Sequence, residues 1–133
     1  MPLIHQYTLV CDEVRLENNG KLIVIGLYTP DIFVPQFPFA FPSLTFLQAF
    51  MSDQAGQFQF RARIQHLESG QGLAQAMGTI NVRQPGFAAS VLRFGNLTVT
   101  RDGVYNLIVN VDPQPDPITV SFNIGLQART QIQ

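Results

Sequence analysis

Cys11 is the only cysteine in the chain, which excludes an internal disulfide framework and an all-cysteine zinc site. Charge is scarce as well. Charged residues make up 13%, about half the usual quarter, and Lys21 is the single lysine beside seven arginines and fourteen glutamines. The surface is therefore polar mainly through amides and hydroxyls. With a net charge of −1, no long-range field draws in nucleic acid or an anionic membrane, so neither is expected as a partner. Weak self-repulsion also removes one ordinary barrier to self-association. Met1-Pro2-Leu3-Ile4-His5 lacks the basic region and apolar run of a signal peptide, and no stretch reaches the length of a membrane span. A cytoplasmic protein of bacterial type is the expectation. No zinc-ligand spacing, phosphate-cradling glycine loop or G-x-S-x-G elbow is present, so no cofactor, metal or enzymatic activity is expected.

What the chain does have is period-two alternation. Hydrophobic residues make up 46%, enough for one core at this length, and 1–133 reads as one domain. Ile118, Val120, Phe122, Ile124 and Leu126 alternate with Thr119, Ser121, Asn123, Gly125 and Gln127, as in an antiparallel strand with one wet face. Tyr105, Leu107, Val109 and Val111 repeat the pattern, and Asp112-Pro113-Gln114-Pro115-Asp116-Pro117 turns the chain between them.

Residues 5–16 predict a long strand with a slip between Cys11 and Val14 that suggests a bulge. Asn18-Asn19-Gly20 then signals a hairpin. Leu22 to Leu27 is apolar on both parities, which predicts a central strand covered on both faces. Ser43 to Met51, Phe58 to Gln65, Ala74 to Val82 and 87–100 complete the set, the last with a phase change near Gly95-Asn96. About eight strands with closely spaced turns predict an all-β, two-sheet antiparallel sandwich; a closed barrel is the alternative.

Arg101-Asp102-Gly103-Val104-Tyr105 resembles the tyrosine corner of immunoglobulin-like sandwiches, in which the phenol bonds a backbone group upstream. The likeness is architectural and transfers no binding function. The run from Cys11 to Tyr28, together with Gly103-Val104-Tyr105, resembles a family of short, uncharacterised bacterial proteins. That resemblance implies a β-sandwich and lends no activity, cofactor or catalytic residue.

Reactive constellations are few. Cys11 and His5 lie six residues apart on one strand, about 20 Å at strand rise, so only His66 remains as a base for the thiol. A small buried thiol is the simpler reading. Asp12 and Glu13 are adjacent and face opposite sides of a regular strand, unless a bulge turns both outward. Asp112 and Asp116 supply too few oxygens for Ca²⁺ and read as turn caps. Arg61 and Arg63 share a wet face while Phe58 and Phe60 lie on the other, which argues against a base-stacking platform.

The segment Pro30–Pro42 holds four prolines and four of the eleven phenylalanines: Phe33, Phe37, Phe39 and Phe41. It is either an extended cover over the open end of the sandwich or a contact surface, because aromatics supply most interface anchors. The leading expectation is a non-catalytic module that contacts itself or another protein through these rings. The alternative is a small-ligand binder with a cavity between the sheets, lined by rings such as Phe46 and Phe60.

Overall fold

The structure, a computed structural model, describes residues 3–127. Nine strands form it: β1 (Leu3–Leu16), β2 (Leu22–Tyr28), β3 (Asp31–Val34), β4 (Phe39–Ser52), β5 (Gly56–His66), β6 (Gly72–Val82), β7 (Gly86–Val99), β8 (Gly103–Val111) and β9 (Ile118–Leu126). They make a four-stranded sheet in the order β2-β1-β4-β7 and a five-stranded sheet in the order β3-β9-β8-β5-β6. The two-sheet sandwich matches the reading from alternation. The added strand is β3, inside the proline-rich segment, and it pairs parallel with β9. It escapes the pattern because Pro30 and Pro35 bracket only four residues. Parallel pairing at a sheet edge leaves its other side free of ladder bonds, which is where prolines nearby are tolerated.

The core lies between the sheets. Leu44, Phe46 and Phe50 of β4 meet Ile64 of β5, Leu107 and Val109 of β8, and Phe122 and Ile124 of β9. Phe46 is central: its ring packs edge-on against Phe94 at 5.9 Å and tilted against Phe122 at 5.6 Å, so it touches both sheets. Phe60 lies over Gly78, where a Cβ would come within 3.0 Å of its ring. The small parity of β6 thus makes room for a neighbour's ring.

Two expected irregularities resolve differently. The phase change near Gly95-Asn96 is present. Phe94 and Leu97 both enter the core, and Asn96 takes φ 52° between them. β4 makes the matching change, with Phe41 and Leu44 both buried across Pro42, so the β4–β7 register runs unbroken from Phe39↔Val99 to Ser52↔Gly86. The bulge expected between Cys11 and Val14 lies elsewhere: β1 shifts register between His5 and Tyr7, while its pairing with β2 keeps one register from Val10 to Leu16. Beside that shift, Gln48 Nε2 donates to Thr8 Oγ1 at 3.2 Å, and Thr8 Oγ1 lies 2.7 Å from His5 Nε2. Burial there lowers the His5 pKa from its ordinary value, partly opposed by a backbone bond to Tyr7.

The tyrosine corner forms as read. The Tyr105 hydroxyl donates to the Arg101 carbonyl at 2.5 Å, and burial pushes the phenol pKa up. His66 joins the same corner. Its Nε2–H donates to the Asp102 carbonyl at 3.0 Å, which leaves Nδ1 to accept from the Ser69 backbone N–H at 3.2 Å. The β5–β6 turn is thereby tied to the start of β8.

Candidate functional site

The four phenylalanines of the proline-rich segment do not share a surface. Phe33 on β3 points outward from the five-stranded sheet and is 62% exposed. Phe41 is buried, and Phe39 meets it edge-on at 4.9 Å. Phe37 and Phe39 are half-buried against the core. The segment therefore divides into a short edge strand and the first turn of β4's ladder, because its inward positions Ile32, Val34 and Phe41 alternate into the core.

The candidate reactive groups are placed as follows. Cys11 is fully buried, and its Sγ lies 3.6 Å from the Glu13 carbonyl. Burial, reinforced by the adjacent Asp12 charge, pushes the thiol pKa up, and a backbone bond to Glu13 only partly opposes this. A raised pKa and no solvent access both suppress the thiolate. Cys11 is expected to stay unreactive toward an aromatic disulfide reagent in native buffer and to react stoichiometrically once unfolded; rapid native labelling would contradict this placement.

Asp12 and Glu13 separate as the strand geometry requires. The Tyr28 hydroxyl donates to Asp12 Oδ1 at 2.5 Å, and Ser43 and Thr45 donate to the Asp12 carbonyl at 2.7 and 3.1 Å. Gly26 sits against this carboxylate at φ 67°, a position where a Cβ would collide with it. Burial, with the Asp12 bond and charge behind it, raises the Tyr28 pKa strongly. Glu13 pairs instead with Arg15 at 3.2 Å. These residues fasten β1, β2 and β4 together.

Ser69 Oγ lies 2.7 Å from His66 Nδ1, the contact a nucleophile and base would make. That lone pair already accepts the Ser69 N–H, and Ser69 Oγ accepts the Gln71 N–H at 3.2 Å, so the arrangement closes a turn. Asp112 donates its N–H to the Gln59 carbonyl at 2.9 Å. Among the described residues, no group of three or more His, Cys, Asp and Glu side chains gathers as metal ligands do. Arg61 and Arg63 lie on the outer face of β5, opposite Met77 and Gln75 of β6, beside a shallow groove of about 370 Å³. Phe46 and Phe60, read as possible cavity linings, are both packed core rings.

The feature that residue-by-residue reading missed is the outer face of the four-stranded sheet. Its register sets three successive rows across β1, β4 and β7: Ile4, Met51 and Phe87; Tyr7, Ala49 and Ala89; Leu9, Leu47 and Val91. None carries a charge. Cys11, Leu47 and Ala49 are buried yet stand outside the central core cluster, so they form a second apolar layer on the far side of the sheet. Tyr7 and Phe87 reach across β4 toward each other with ring centroids 6.4 Å apart.

β2 extends the face. It is an edge strand, not the central one expected, and Ile23, Ile25 and Leu27 are exposed beside β1. The available signal was the apolar parity on both sides of β2 and β4. That pattern predicts cover on two faces; neighbouring side chains supply it over most of β4, whereas Ile23, Ile25 and Leu27 of β2 stay exposed.

No curated protein matches this sequence. Among solved structures, the C-terminal domain of wzt is similar with a TM-score of 0.52 and 14% identity, over 97% of this chain and 75% of that one. A β-glucosidase from Erythrobacter marinus gives 0.50 and 9%, over 92% of this chain and 15% of the enzyme. A β-glucosidase from Listeria innocua in complex with glucose gives 0.48 and 12%, over 72% of this chain. This chain spans 15% of the length of that Listeria enzyme. At these identities the first two likenesses speak for the fold alone. Residues 6–121 match a family model described as a family of unknown function, and the chain belongs to that family, DUF6941.

Proposed function

We propose that this chain is a non-catalytic, immunoglobulin-like sandwich of the bacterial cytoplasm that acts by protein contact, through the outer face of its four-stranded sheet. One observation carries the reading: three consecutive rows of that face are apolar and uncharged across three strands. Outer faces of antiparallel sandwiches normally alternate to polar residues, and a contiguous apolar patch of this kind marks an interaction site. Phe87, 60% exposed, and Tyr7 supply the aromatic anchors that dominate such contacts. A lone buried thiol needs no oxidising compartment, which suits the cytoplasm.

The test compares tagged wild type with Phe87→Glu, matched for folding by circular dichroism, in lysate of the source organism supplemented with an untagged copy of the chain. Wild type is expected to capture a protein, itself included, that the variant releases. Equal capture by both, or none by either, would refute the reading.

A further inference from the structure

We infer that the occupant of this face is a second copy of the chain, stacked sheet on sheet about a twofold axis that runs along β4. This rests on the contact reading above and names its partner.

Area comes first. At roughly 150–250 Å² for a fully exposed large side chain, the uncovered parts of Ile4, Tyr7, Leu27, Met51, Phe87 and Val91 amount to about 600 Å². The neighbouring Ile23 and Ile25 bring the face to about 800 Å², the share each partner gives to a standard interface. Both strand parities are then accounted for, since the second sheet covers what the first leaves open.

Apolar rows and rim charges both find counterparts under that axis. Rotation about β4 lays β1 of one copy over β7 of the other and keeps the rows in place. Ile4 then stands over Phe87, Tyr7 over Ala89 and Leu9 over Val91, so each apolar row meets an apolar row. The charged groups near the rim also match. Arg93 Nη1 lies over Gly95, where a Cβ would be 3.4 Å away, and Gly95 is in the row of Ser43. Glu13 follows Asp12, whose carbonyl accepts from that same Ser43 at 2.7 Å. The axis therefore brings the Arg93 of one copy toward the Glu13 of the other, twice, where each Glu13 carboxylate is shared with Arg15 of its own chain at 3.2 Å. With a net charge of −1 per chain, two copies meet without appreciable repulsion.

The experiment is light scattering on the purified full chain across a concentration series, for wild type, Phe87→Glu, Val91→Lys and Phe33→Ser. Wild type is expected at twice the chain's 14.8 kDa. Phe87→Glu and Val91→Lys, both at exposed positions, should each raise the dimer dissociation constant at least about thirtyfold, as for loss of a hot-spot anchor. Phe33→Ser, on the opposite sheet, should leave it unchanged. A wild type that stays monomeric at about 100 μM would overturn the second copy as occupant, while a capture lost in Phe87→Glu would keep the contact reading alive. A dimer insensitive to both outer-face variants, or one dissociated by Phe33→Ser, would place the interface elsewhere and overturn both.

Discussion

Replacing Phe46 with alanine is expected to destabilise the fold by about 4 kcal/mol, the middle of the range for an aromatic removed from a core. The ring is fully buried and touches Phe94 in its own sheet and Phe122 in the facing one. Its loss removes apolar burial and leaves a void between the two layers, which β-sheets cannot close without shifting their ladders. For a chain of this size that corresponds to a fall in Tm of about 15 °C. Phe33→Ala supplies the contrast: the ring is 62% exposed, and a change within about 0.5 kcal/mol is expected. Urea unfolding of both variants measures this directly. A loss below about 1.5 kcal/mol at Phe46 would mean that space already exists beside the ring, and would favour a ligand cavity between the sheets.

The second large effect is expected at Gly103. Its φ is +129°, and a Cβ there would lie 2.8 Å from His66 Nε2. Gly103→Ala therefore acts twice. It strains the backbone by about 1 kcal/mol or more, and it drives the imidazole off the Asp102 carbonyl, leaving buried polar groups unpaired at about 1–3 kcal/mol. The sum is about 3 kcal/mol. Displacement of the ring also loosens its bond from Ser69 and its edge contact with Tyr105 at 5.0 Å. Gly86→Ala isolates the backbone share, because Gly86 has φ +133° and nothing within 4 Å of a Cβ. Equal losses at the two glycines would show that the His66 contact contributes nothing.

Much of the fold was legible because single residues announced it. The alternation through Ile118–Leu126 and Tyr105–Val111 gave the C-terminal hairpin, and Tyr105 two positions after Asp102-Gly103 gave the corner. β3 was illegible for the opposite reason: four residues between prolines carry too short a pattern, and Ile32 and Val34 reveal themselves only by their burial against the core. The four rings of the proline-rich segment do not form one surface. Aromatic density drew attention to Phe33, Phe37, Phe39 and Phe41, yet three of those rings fill the core or its margin. The apolar outer face contains two aromatic rings, Tyr7 and Phe87, and is otherwise aliphatic. No local motif marks it. It emerges only when β1, β4 and β7 are set side by side, because its rows draw on residues more than forty positions apart. Strand β2, apolar on both parities, lies at the sheet edge and not at its centre, with Ile23, Ile25 and Leu27 exposed.

The paired inversions of β4 at Pro42 and β7 at Asn96 also constrain how this chain can vary in length. Each strand turns its side chains over at the same rung, so the two remain in step from end to end. Deleting one residue from either strand alone would send every following core side chain to the wet face. Length changes in this part of the chain should therefore arise as matched pairs, one in each strand.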